Sequence, residues 1–112
     1  MRGSSPVLAR RKDSAHLFAA LGDETRLLLV TRLSAGPMSI SRLTEGSKLT
    51  RQAITKHLRV MKGSGLVRGA RQGRESVWQL NQRRLEDARR YLDLVSKQWD
   101  DALGRLRQFV EK

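Results

Sequence analysis

The chain has 112 residues, 38% of them hydrophobic and 30% charged, which suits one folded domain with a modest core. Its 23 Lys and Arg against 11 Asp and Glu leave a formal charge of +12, so the expected partner is a polyanion. It has no cysteine, which excludes disulfides, thiolate metal ligands and thiol nucleophiles, and no apolar run approaches a membrane span; a cytoplasmic, nucleoid-associated protein with no membrane partner is expected.

Residues 1–12 carry Arg2, Arg10, Arg11 and Lys12 without an acid, and read as a flexible basic arm before a domain of residues 13–112. Asp13 or Ser14 can cap a short helix holding Leu17, Phe18 and Leu21, with Gly22 at its end. Asp23 caps a second helix whose apolar positions are Leu27, Leu28, Val30 and Leu33. Gly36 and Pro37 stop it, the first by suiting a left-handed cap and the second by being unable to continue. Ser39 opens a third, short helix with Ile40 and Leu43 facing inward, and Glu45 to Lys48 form a turn around Gly46.

Thr50 then caps a helix running to Lys62. At 3.6 residues per turn, Arg51, Gln52, Thr55, Lys56, Arg59 and Lys62 share one arc, while Ala53, Ile54, His57, Leu58, Val60 and Met61 fill the rest. The polar arc holds no carboxylate. Cations, an amide and a hydroxyl are the groups that contact phosphates and base edges. Gln52 suits adenine and Arg51 guanine, with Thr55 beside them; Lys56 and Arg59 suit phosphates, and Thr50 divides between capping and a phosphate. A solvated helix face is the plainer alternative for this arc. His57 reads first as a half-buried histidine bonded to backbone, and second as a donor to phosphate.

Lys62-Gly63-Ser64-Gly65 breaks the helix and lacks the Gly-Lys-Ser/Thr ending of a phosphate loop. Two strands follow, Leu66–Ala70 and Glu75–Leu80, with Ser76, Trp78 and Leu80 on one face. Arg71 and Arg74 flank the tight turn between them and are expected to contact DNA backbone or minor groove. Trp78 reads as core. Residues 50–75 hold seven cations and Glu75 as their one acid, so the positive field concentrates here. Helix, turn, helix and a basic-tipped hairpin together give a mainly α, winged helix-turn-helix (α+β) fold.

The last helix spans about 83–110. Leu85, Ala88, Leu92, Val95, Trp99, Ala102, Leu106 and Phe109 recur at steps of three and four, a heptad seam. Such a stripe needs a partner, and a second copy of the chain is the simplest. Leu85, Leu92, Val95, Trp99, Leu106 and Phe109 are the expected dimer contacts, and Tyr91 reads as a rim residue.

Three blocks make the chain resemble the ArsR family of bacterial winged-helix regulators: Leu17 to Leu27, Leu49 to Met61, and Gly65 to Arg74 with Trp78 to Leu80. Glu24 departs from the family's usual proline. The resemblance implies a homodimer joined by first and last helices, a helix at 50–62 on a palindromic operator, and the hairpin as wing. The metal-binding cysteines and histidine clusters of many members are missing from the third and last helices. No metal and no cofactor is therefore expected, and any effector is left open. No catalytic set is evident, so an enzyme is not expected. Two other readings stay open: a low-specificity architectural DNA-binding protein, and an interaction module built on the long helix.

Overall fold

The computed structural model describes the backbone of residues 6–111 and the side chains from Arg11 to Glu111. Helix α1 spans Pro6–Leu21, and α2 spans Glu24–Leu33. A short strand β1, Met38–Ser39, leads into α3, Ile40–Thr44, and then α4, Arg51–Gly63. The strands β2, Val67–Gln72, and β3, Glu75–Leu80, precede the long α5, Gln82–Glu111.

The first helix differs from its expectation. It starts at Pro6, so residues 6–12 are helical and not an arm, and residues 1–5 lie outside the described residues. Proline suits a first helical turn, and neither glycine nor a second proline interrupts the chain before Gly22. Asp13 and Ser14 consequently lie within α1 and cap nothing.

The other starts follow local chemistry. The Asp23 carboxylate accepts from the Arg26 backbone N–H at 3.0 Å, Ser39 Oγ from Arg42 at 3.2 Å, and Thr50 Oγ1 from Ala53 at 3.1 Å. Each satisfies one amide that the helix start would otherwise leave unpaired.

The sheet is antiparallel with order β1-β3-β2. The hairpin is therefore extended by a third strand, which pairs Met38 with Trp78 and Ser39 with Val77. Two residues are too short to show alternation. Gln72 opposes Glu75, which leaves Gly73 and Arg74 as a two-residue turn, with Gly73 at φ +62°. Trp78 is buried, and its ring lies over Gly69, where a Cβ would come within 3.1 Å of it.

Leu17, Leu33, Leu43, Ile54, Leu58, Met61 and Leu66 form the centre of one core, closed below by Trp78 and Leu80. Leu29 and Leu33 carry the buried face of α2, while Leu27 and Leu28 are exposed. In α5, Ala88 is buried and Leu85 packs against this same core. Leu85, expected at a dimer contact, is thus engaged within its own chain, because the first turns of α5 still lie over the domain. Further along, Leu92, Val95, Trp99, Leu106 and Phe109 are exposed. The helix is roughly 45 Å long at 1.5 Å per residue, and the chain measures 67 Å along its longest axis. Among the described residues no helix is long and apolar enough to cross a membrane.

Candidate nucleic-acid interface

Ile54, Leu58 and Met61 bury one side of α4. That packing turns the opposite side outward. Thr50, Arg51, Gln52, Thr55, Lys56 and Arg59, together with Ala53, line a single shallow depression on this outer side. The structure therefore brings together the polar arc read from the sequence except Lys62, which is exposed but does not line the depression. Arg51, Gln52, Lys56 and Arg59 are exposed, and Thr55 is half-buried. Val60, counted with the apolar positions, is exposed at the arc's edge.

Besides Thr50, whose Oγ1 caps the helix, two of these side chains are partly committed. The Thr55 hydroxyl donates to the Arg51 carbonyl at 2.8 Å, so its proton is used within the helix and its oxygen remains an acceptor. The Arg51 guanidinium reaches Ser41 Oγ of α3 at 3.5 Å. This links the first turn of α4 to the helix before it, a contact that sequence spacing did not reveal.

Arg74 occupies the tip of the hairpin, and Arg71 sits one pair back from the turn-closing pair, opposite Ser76. Alternation from Val67 and Gly69 puts Arg71 on the face that carries Trp78, but beyond the core. Both arginines are exposed.

His57 is half-buried, with 25% of its side chain exposed, but its partners are side chains and not backbone. Its Nδ1 lies 3.1 Å from an Arg26 guanidinium nitrogen and 3.7 Å from the Asp23 carboxylate. Arg26 also donates to the Ala20 carbonyl at 2.6 Å and the Ala19 carbonyl at 3.3 Å, near the end of α1. The Arg26 backbone N–H, bonded to Asp23, holds that carboxyl below its ordinary pKa; partial burial opposes this, the Arg26 charge reinforces it, and His57 adds to it only when protonated.

Two further arginines act in the same way. Arg32 of α2 donates to the Leu43 and Arg42 carbonyls at 2.7 and 2.9 Å, covering the end of α3. Arg84 of α5 donates to the Ser64 carbonyl at 2.9 Å, just past α4. It also binds Asp13 at 2.8 Å and Asp87 at 3.0 Å. Desolvation works against the Arg84 cation, yet the hydrogen bonds it donates to Asp13 and Asp87 outweigh it and raise its pKa. Cations near helix C-termini meet the unpaired carbonyls and the negative end of the helix dipole. Arg26, Arg32 and Arg84 thus fasten the scaffold that presents α4. Tyr91, read as a rim residue, is half-buried against Phe18 of α1, with ring centroids 5.8 Å apart.

Known proteins share this fold. Residues 21–70 match the helix-turn-helix domain family. The chain is 34% identical to the HTH-type transcriptional regulator Rv2034 of Mycobacterium tuberculosis over 92 residues, 82% of this chain and 83% of that one. An ArsR-like transcriptional regulator from Rhodococcus sp. RHA1 superposes with a TM-score of 0.81 at 34% identity, covering 90% of this chain and 95% of that one. The chain belongs to the ArsR family of transcriptional regulators. Within that family, the transcriptional repressor SmtB of M. tuberculosis is 28% identical over 80% of this chain and 65% of its own length. The ArsR fold accounts for the order of helices, hairpin and terminal helix described above.

Proposed function

We propose that the protein is a transcriptional repressor that binds a palindromic operator as a homodimer. The observation that carries this reading is the outer side of α4, cationic and acid-free, held away from the core by Ile54, Leu58 and Met61. In this reading α4 lies in the major groove, Arg51 and Gln52 read guanine and adenine, and Thr55 supports them as an acceptor. Lys56, Arg59 and Thr50 position the helix on phosphates. Arg71 and Arg74 carry the wing to the flanking backbone or minor groove. Leu92, Val95, Trp99, Leu106 and Phe109 meet their counterparts across a two-fold axis, which makes the operator an inverted repeat.

Selection of bound sites from genomic DNA tests the whole reading. Inverted half-sites separated by one or two helical turns are expected. A preference below about tenfold over random DNA would replace the repressor by an architectural protein. No binding even at low salt would leave an interaction module.

A further inference from the structure

An arginine side chain has donors only and stays charged, so it cannot accept a proton from a histidine or give one up. The Arg26 guanidinium lies 3.1 Å from His57 Nδ1. That contact is a hydrogen bond only when Nδ1 carries a lone pair. The ring is then neutral and its proton sits on Nε2. Protonating Nδ1 would set one N–H against another and two cations side by side.

The placement of this bond matters more than its strength. His57 belongs to α4, on the flank between its buried side and its polar face. Arg26 belongs to α2, and its other donors hold the Ala20 and Ala19 carbonyls at the end of α1. One guanidinium therefore fixes α4 sideways against two helices at once. The charged groups facing His57 are Arg26 of α2 and Asp23, which caps that helix; among the described contacts α1 contributes only carbonyl oxygens, through Arg26. Asp23 competes for the same ring nitrogen from 3.7 Å. A protonated ring would turn from Arg26 towards that carboxylate, and the lateral hold on α4 would change partner.

We propose that Arg26 and neutral His57 are a positioning pair that sets the angle of the recognition helix, so that site discrimination depends on His57 being unprotonated. This rests on the operator-binding reading above. Neither residue touches DNA in this account. Loss of the pair should therefore lower the preference for the operator while leaving non-specific affinity and its salt dependence in place, since those count phosphate contacts.

The two amide side chains separate the nitrogens of the ring. Asparagine puts an acceptor where Nδ1 was, and glutamine puts a donor where Nε2 was. His57→Asn, His57→Gln and Arg26→Lys are compared with the wild type on the selected operator and on a scrambled duplex, with thermal unfolding recorded for each. His57→Asn should keep the operator preference within about threefold. His57→Gln and Arg26→Lys should lose about tenfold of it, with the slope of log affinity against log salt unchanged. The wild-type preference should fall on acidification, as the imidazole gains a proton, and that of His57→Asn should not. Should His57→Gln unfold, Arg26→Lys and the wild-type pH profile still decide. The proposal is overturned if His57→Asn loses the preference while His57→Gln keeps it, or if wild type and His57→Asn share one pH profile. A wild type that binds both duplexes equally removes the operator reading itself.

Discussion

Arg84 donates to the carbonyl of Ser64 at 2.9 Å, which pins the first turn of α5 to the residue that ends α4. The same guanidinium holds Asp13 in α1 and Asp87 in its own helix, and only 14% of its side chain is exposed. The end of α4 is thereby tied to both terminal helices through a single cation.

Replacing Arg84 by alanine leaves a carbonyl and two carboxylates without their donor. Loss of the hydrogen bonds made by a guanidinium that is only 14% exposed sets the cost at about 1.5–3 kcal/mol. Asp13→Asn should cost under about 1 kcal/mol, because an exposed carboxylate is solvated well without its partner; 64% of the Asp13 side chain is exposed. Urea unfolding of the two variants checks the order. Equal losses would mean that the Asp13 arm, and not the Ser64 contact, carries the effect.

What the sequence disclosed and what it hid divide along a physical line. The caps at Asp23, Ser39 and Thr50 and the polar arc of α4 depend on residues within one or two turns of each other, so spacing reveals them. The roles of Arg26, Arg32 and Arg84 depend on carbonyl oxygens six to twenty residues away. A carbonyl has no sequence signature, so these arginines look like any others in a chain of charge +12. For the same reason the partner of His57 was unreadable. The start of α1 was misjudged because Arg10, Arg11 and Lys12 resemble a tail, although nothing in their backbone forbids a helix. The heptad seam was legible as a stripe. Its division into an intramolecular part at Leu85 and Ala88 and an open part beyond was not, since periodicity does not say where the domain ends.

Gly65 and Gly73 offer a second, paired test. Both have positive φ, +83° and +62°. A Cβ at Gly65 would lie 3.1 Å from Arg84 Nε, whereas one at Gly73 meets nothing within 4 Å. Alanine at either position carries the left-handed backbone penalty of about 1–2 kcal/mol. Gly65→Ala should lose more, because it also displaces Arg84 from Ser64. Denaturant midpoints for both variants measure the excess, and placing Gly65→Ala in an Arg84→Ala background should abolish it.

Asp23 makes stability depend on acid. Its folded-state pKa lies below the ordinary 3.8, chiefly because its carboxylate accepts from the Arg26 backbone N–H. A depressed carboxyl pKa stabilises the fold fully above the unfolded value, and the contribution is lost as pH falls through the folded value. The relevant window is therefore below pH 3.8. Asparagine caps helices as well as aspartate does, so Asp23→Asn removes the charge and keeps the cap. The stability difference between wild type and Asp23→Asn should be constant near neutrality and shrink within that window. A difference that widened on acidification would contradict the assignment.

The open part of α5 gives the test of assembly. Trp99 is 63% exposed and Phe109 is 79% exposed in the isolated chain, on the same stripe as Leu92 and Leu106. Monomeric proteins rarely leave so continuous an apolar surface in water, and large aromatics contribute disproportionately where two surfaces meet. Within the proposed homodimer Trp99 lies near the middle of that stripe. Trp99→Ala should weaken self-association by a factor on the order of 30, corresponding to about 2 kcal/mol. The apolar area it removes from the core is nil, so unfolding of the diluted monomer should hardly change. Sedimentation equilibrium at micromolar concentration follows the first effect and circular dichroism the second. Trp78 is buried and remains as an internal fluorophore in this variant, which reports on the fold while Trp99 is absent. A wild type that sediments as a monomer would assign the stripe to another partner. A Trp99→Ala chain as dimeric as the wild type would move the centre of the interface away from this residue.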